Sequence, residues 1–252
     1  MKRMIGSLAL LVLAATLTLA PKASGQCVTG TGTNILMKWD GNGFVYETAT
    51  NNPLGALANP VNNISTAGNT LHALMGVSLF CGPLAGLDPN DPAAEYTIVW
   101  TGLTSGGTST SPFGTSGTKY TTVYLNGGWT LYRGAVDARN YANVPPPAPA
   151  VAFPQYNETV VLLSGPMDSL VVTVTKSSLG NINGSFRGRY RVTGGTMSGS
   201  ICNNAAGLVN GLWYPVNPPA GYSAHHNGKY DAPDCATSTR NTSWGRIKTL
   251  YR

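Results

Sequence analysis

Three arginines occupy every second position of Ser185-Phe186-Arg187-Gly188-Arg189-Tyr190-Arg191-Val192. In an extended strand, alternate side chains face opposite sides. Arg187, Arg189 and Arg191 therefore line one face, and Phe186, Tyr190 and Val192 the other. A row of guanidiniums can grip a carboxylated glycan, a phosphate-bearing polymer or an acidic protein. The plainer reading is a solvated outer face whose charges discourage edge-to-edge pairing.

A second constellation is aromatic. Tyr120, Tyr124, Trp129 and Leu131 share a face if their segment is extended. Flat rings on a sheet can stack on sugars, and the same rings can make an ordinary core through aromatic pairs. Trp100, Trp213 and Tyr214 present the same choice.

Other groupings carry less chemistry. His225-His226, with Asp231 and Asp234, is the densest set of candidate ligands. Its spacing fits no zinc pattern, adjacent histidines on a strand point opposite ways, and the surrounding Gly and Pro mark a surface loop. Asp88, Asn90, Asp91 and Glu95 could gather oxygens around calcium. Pro89 and Pro92 argue instead for a rigid turn whose side chains cap backbone groups. There is no nucleophile elbow, and Gly41/Gly43 belong to a turn rather than a dinucleotide loop. A glycosidase needs only two carboxylates, and Glu47, Glu95 and Glu158 lie in or beside expected strands. We expect no metal and no cofactor.

Cys27, Cys81, Cys202 and Cys235 are an even set, which in an exported chain implies two disulfides with three possible pairings. Cys27 with Cys81 and Cys202 with Cys235 is the preferred pairing, because it closes local loops. No two cysteines have zinc-finger spacing.

The export reading comes from the first 25 residues: a basic head at Lys2-Arg3, an apolar run from Ile5 to Ala20, and Ala23-Ser24-Gly25 before a cut. That is a secretory signal layout, too short to span a membrane. Gln26 and Ser24 occupy places where a lipoprotein signal needs other residues. No second apolar run follows, so no transmembrane segment is expected. Losing Lys2, Arg3 and Lys22 from 16 basic side chains leaves 13 against 10 acidic ones, which gives nucleic-acid binding no support. Only 10% of the chain is charged, and Gly, Thr, Ser and Asn fill the gap.

The elements that must position these residues are strands. Glu95 to Thr101 is β-branched and aromatic. Three hairpins are expected. One turns at Asp40-Gly41-Asn42-Gly43, one at Asn126-Gly127 between Lys119–Leu125 and Trp129–Arg133, and one at Gly165-Pro166 between Glu158–Ser164 and Ser169–Lys176. Leu71 to Cys81 reads as a buried strand or a short helix. The Pro-rich run 144–154 is a crossover within one domain, residues 26–241. From Ser198 on the chain reads as loop-rich and disulfide-stapled. Residues 242–252 form a basic, aromatic C-terminal segment that either docks or is recognised in sorting.

The runs Gly102-Leu103-Thr104-Ser105-Gly106-Gly107-Thr108, Tyr124 to Tyr132, Val192-Thr193-Gly194-Gly195 and Gly221 to Asp231, with the chain end from Ser243 to Arg252, resemble exported bacterial β-sandwich proteins of unassigned activity. The resemblance implies a fold and an exported address, and brings no catalytic residue.

The expectation is thus an all-β, antiparallel, sandwich-like domain with two disulfides. It acts by contact at the cell surface or outside the cell. A carbohydrate-binding role through the aromatic face or the arginine row is one alternative, and a glycan hydrolase with a carboxylate pair is another. The partner class is a surface polymer or glycan, and the oligomeric state stays open.

Overall fold

Strands make up most of the computed structural model, which describes residue 27 and residues 34–48, 64–135, 160–215 and 222–233. The expected signal segment 1–25, the Pro-rich run 144–154, Cys235 and the segment 242–252 lie outside these residues. The strands are β1 (Ile35–Thr48), β2 (Thr70–Gly76), β3 (Leu79–Phe80), β4 (Glu95–Phe113), β5 (Gly117–Gly134), β6 (Val160–Lys176), β7 (Ile182–Arg191), β8 (Ala206–Tyr214) and β9 (Ala224–Asp231).

Among the described residues all strand pairings are antiparallel, as expected for the fold. From β4 to β9 each strand pairs with the next along the chain, β9 pairs with β1, and β2 pairs with both β1 and β4. The ring of pairings is closed. Eight strands form the wall, and the two-residue β3 extends β2 so that together they match the length of β1. The two packed faces of the expected sandwich are here opposite walls of one rolled sheet. An eight-stranded barrel has an interior that side chains can just fill, and closure removes the free edges that invite aggregation.

The three expected hairpin turns are not turns. Gly41 (φ 71°) and Asn126 (φ 60°) adopt the left-handed backbone that a hairpin would need. Each instead bends a continuous strand, β1 of 14 residues and β5 of 18. Long strands must coil to close a barrel, and local irregularities of this kind supply the bend. Gly165-Pro166 likewise lies inside β6, in the gap between the Met167↔Tyr190 and Ser164↔Gly194 pairings. The end of β7 stays close there, since a Cβ on Gly165 would lie 2.0 Å from the Arg191 carbonyl. Pro166 nonetheless has no registered partner on β7, so its missing N–H interrupts no ladder pairing on that side. Leu71 to Cys81 resolves as strand: β2, then β3.

The loop-rich expectation after Ser198 also needs correction, since β8 and β9 come from this stretch and complete the ring. Their inward positions alternate Gly207, Val209, Gly211, Trp213 and Ala224, His226, Gly228, Tyr230. Small residues at half of the core positions hide the period. Space requires them: a Cβ on Gly207 would sit 2.4 Å from the Tyr190 ring, and one on Gly228 would sit 2.7 Å from Phe186.

Aromatic rings fill the interior. Trp39, Trp100, Trp129, Tyr190 and Tyr230 are all essentially buried and meet in edge or tilted contacts at 4.7–6.2 Å. Such pairs each add about 0.5–1.5 kcal/mol beyond the area they bury. Their polar atoms find partners inside: Trp100 Nε1 donates to Tyr230 Oη at 2.6 Å, and Tyr190 Oη donates to the Asp231 carbonyl at 2.7 Å. A smaller apolar cluster, Tyr46, Leu74, Val99 and Tyr222, lies on the outer side of β1, β2 and β4.

Elsewhere the outer wall is mixed, with Thr121, Thr173, Arg187, Arg189, Asn210 and Lys229 set among exposed Val123, Leu125 and Leu212. Among the described residues no helix is long and apolar enough to cross a membrane.

Candidate functional site

Strand β7 delivers the alternation its sequence demands. Phe186 and Tyr190 point into the core, and the arginines point out. The row of three resolves into a pair and a tethered neighbour. Arg191 makes a two-pronged contact with Asp168, Nη2 to Oδ1 at 2.6 Å and Nε to Oδ2 at 3.1 Å, and Nη1 reaches Asn204 Oδ1 at 3.3 Å. Arg187 and Arg189 are exposed and make no ion pair among the described residues. Two residues apart on one strand, they stand ~7 Å from each other along the chain.

These two arginines lie in an open groove of about 530 Å³ over β6, β7 and β8, lined also by Ser169, Val171, Thr173 and Leu208. Among the described residues no acidic side chain lines it. Its surroundings on the same outer wall include Val123, Leu125 and Leu212, which are 38%, 44% and 49% exposed. Cations set among exposed apolar side chains are the makings of a contact surface.

Another concave feature is one mouth of the barrel. Tyr120, Thr122 and Tyr124 of β5, Val172 and Val174 of β6, Trp213 of β8 and Ser223 line it, with Glu47 of β1 and Ile64-Ser65. The pocket is about 40 Å³. Glu47 is buried, and three donors converge on its carboxyl: the Tyr124 hydroxyl, Ser65 Oγ at 2.9 Å and Asn69 Nδ2 at 3.2 Å.

Ser65 Oγ also lies 2.7 Å from Ser105 Oγ, which accepts the Gly107 N–H at 3.0 Å. A single hydroxyl proton fixes the order: Ser105 donates to Ser65, and Ser65 to Glu47. Burial nonetheless outweighs the three donors and pushes the Glu47 carboxyl above its ordinary 4.5. Burial, followed by the facing Glu47 charge, pushes the Tyr124 hydroxyl well above 10.

The aromatic face is therefore divided. Tyr120, Tyr124 and Trp129 do share the inward face of β5, but Trp129 is 1% exposed and its Nε1 donates to the Arg191 carbonyl at 2.9 Å. It is core, and no sugar can stack on it in this state. Tyr120 and Tyr124 stay in play only as walls of the mouth.

His225 and His226 are strand residues of β9 rather than loop residues, and they face opposite ways. His226 is fully buried among Trp39, Trp100, Phe186 and Trp213. Its Nδ1 accepts the Trp39 Nε1–H at 3.3 Å, so the proton sits on Nε2, which has no partner. Burial, helped by the neighbouring His225, pushes it down to about 3, a neutral imidazole at working pH. His225 stacks on Tyr214 at 4.9 Å. Asp231 pairs with Lys229 Nζ at 2.6 Å and accepts from Asn210 Nδ2 at 3.0 Å.

These groups do not converge, and no cluster suited to a metal occurs among the described residues. The acidic stretch is a capped turn, as expected, with Asp88 Oδ1 accepting the Asn90 N–H and Asp91 Oδ1 the Ala93 N–H.

Cys27 and Cys81 form a disulfide, with Cα atoms 5.6 Å apart. Cys202 is disulfide-bonded as well, and its expected partner Cys235 lies outside the described residues.

Compared with known proteins, the chain matches no family model, no curated protein and no solved structure.

Sequence reasoning named the arginines and two of the mouth's tyrosines. It missed the mouth as a site, because Glu47, Ser65, Asn69 and Tyr124 meet only when the barrel closes.

Proposed function

We propose that the mature chain is an exported, non-catalytic binding protein that holds an acidic polysaccharide against the outer face of β6–β8. The observation that carries this reading is the pair Arg187 and Arg189, exposed and, among the described residues, without ion partners in a groove that no acid lines. A polymer with regularly repeated carboxylate or sulfate groups can engage both cations at once, with sugar rings lying on Val171, Leu208 and Leu212. The signal segment and the disulfide support an address outside the cytoplasm. A hydrolase needs two carboxylates facing each other, and neither pocket brings two together among the described residues.

Binding of the disulfide-intact protein to immobilised polygalacturonate, chondroitin sulfate and neutral dextran tests this. We expect retention on the acidic polymers that falls as salt rises. Replacing both residues (Arg187→Ala with Arg189→Ala) should weaken it by at least about tenfold, since each charge-assisted contact contributes roughly 1.5–3 kcal/mol. Arg133→Ala, which removes an exposed arginine near Asp91 instead, should leave binding unchanged. Equal retention on dextran, or equal losses in the two variants, would overturn the reading. Selective loss on one acidic polymer alone would decide between carboxylate and sulfate.

A further inference from the structure

Among the described residues, Glu47 is the only charged side chain lining the barrel mouth. Among the described residues no Lys, Arg or His forms an ion pair with it, although it is only 7% exposed. Buried charges are ordinarily paired, so this carboxylate either holds a proton or awaits a cation.

The surroundings favour the cation. Three aromatic residues, Tyr120, Tyr124 and Trp213, wall the pocket, and ring faces attract positive charge. An ionised carboxylate has about four lone-pair sites, of which Tyr124, Ser65 and Asn69 use three. The hydroxyls of Tyr124 and Thr122 can still accept. The pocket's volume of about 40 Å³ exceeds the ~10–15 Å³ that one water molecule needs, which leaves room for an –NH3+ group.

We propose that the barrel mouth is a binding site for a primary ammonium group, whose N–H donors the Glu47 carboxylate and the neighbouring hydroxyls accept, with Glu47 as its counter-ion and Tyr120 and Trp213 flanking the stem.

The groups facing Glu47 are Tyr124 and Thr122 from β5, Ser105 from β4, Leu71 from β2, and Ser65 and Asn69 from the preceding loop. Apart from Glu47 itself, the titratable groups there are the phenols of Tyr124 and, in the pocket wall, Tyr120, and the Tyr124 hydroxyl is pushed well above 10. Amine binding should therefore strengthen as pH rises through the Glu47 titration.

The test follows Trp fluorescence and the Glu side-chain carboxyl NMR signals of the full, disulfide-intact chain during titration with n-propylamine hydrochloride. The expected result is saturable binding to propylammonium, with the Glu47 carboxyl titrating at lower pH in its presence. n-Propanol and tetramethylammonium should not bind. Glu47→Gln should weaken propylammonium binding at least tenfold. If that variant does not fold, the shift of the Glu47 titration in the native protein decides.

An unshifted titration, equal binding of n-propanol, or saturation by tetramethylammonium would each overturn the proposal. The variant lacking Arg187 and Arg189 should bind propylammonium normally, which keeps this inference separate from polysaccharide binding.

Discussion

His226 shows what the aromatic interior costs. Its imidazole accepts one hydrogen bond, from Trp39, and its own Nε2–H has no partner. The unfolded imidazole titrates near 6.5, and the folded one only at about 3. Between those values the unfolded chain binds a proton that the folded chain refuses. The stabilisation is therefore complete above 6.5 and is lost as pH falls, at roughly 1.4 kcal/mol per unit.

His72, pushed down to about 4 by burial, acts in the same direction. Glu47 acts oppositely. With its carboxyl raised, its contribution is present below 4.5 and is lost as pH rises. Urea midpoints measured in steps from neutral pH down to about 3 should fall steadily in the wild type. They should fall more gently in His226→Leu, even though that variant starts lower because Trp39 Nε1 loses its acceptor at about 1–3 kcal/mol. Parallel slopes would show that His226 is not the group that titrates.

At the scale of elements, the bends in the long strands have a local cause that can be tested. Asn126 holds φ 60° in the middle of β5, with β4 and β6 paired on either side. Asn and Gly tolerate that backbone, whereas a β-branched residue does not. Asn126→Gly should change stability little, and Asn126→Val should cost about 1–2 kcal/mol or more, read from chemical denaturation. Equal stability of the two would mean that the bend does not depend on this residue.

The same residue explains what could be read from the chain. Asn-Gly has one backbone preference, and both a hairpin turn and a strand bend use it. Only the partners beyond ±20 residues decide between them, and those are invisible locally. Glu95–Thr101 and the Phe186/Arg187 alternation were legible because every position agrees with a single period. β8 and β9 were not, because half of their core positions are glycine or alanine. The arginine pair was legible as pattern. Glu47 was not, since its donors Ser65, Asn69 and Tyr124 lie 18, 22 and 77 residues away.

At the scale of the molecule, closure depends on β1, which pairs with β9 along one edge and with β2 and β3 along the other. The β3 side is the thinnest part of that seam, with only the Met37↔Phe80 and Lys38↔Leu79 pairings. The Cys27–Cys81 bridge reinforces it: the Cys27 carbonyl accepts the Ile35 N–H, and the Cys81 N–H donates to the Leu36 carbonyl, both at 2.9 Å. A crosslink between residues 54 apart restricts the unfolded chain, and the chain-entropy model assigns it about 4 kcal/mol. Replacing both cysteines (Cys27→Ser with Cys81→Ser) should therefore lower unfolding free energy by about 2–5 kcal/mol. It should also speed hydrogen exchange at the Ser78 and Cys81 amides, which bond to β1 carbonyls. Exchange at the Trp100 amide, deep in β4, should rise only as far as global stability falls. A loss of stability spread evenly over both regions would mean that the bridge acts on the unfolded chain alone. Faster opening confined to the β1–β3 seam would show that it also clamps the place where the barrel shuts.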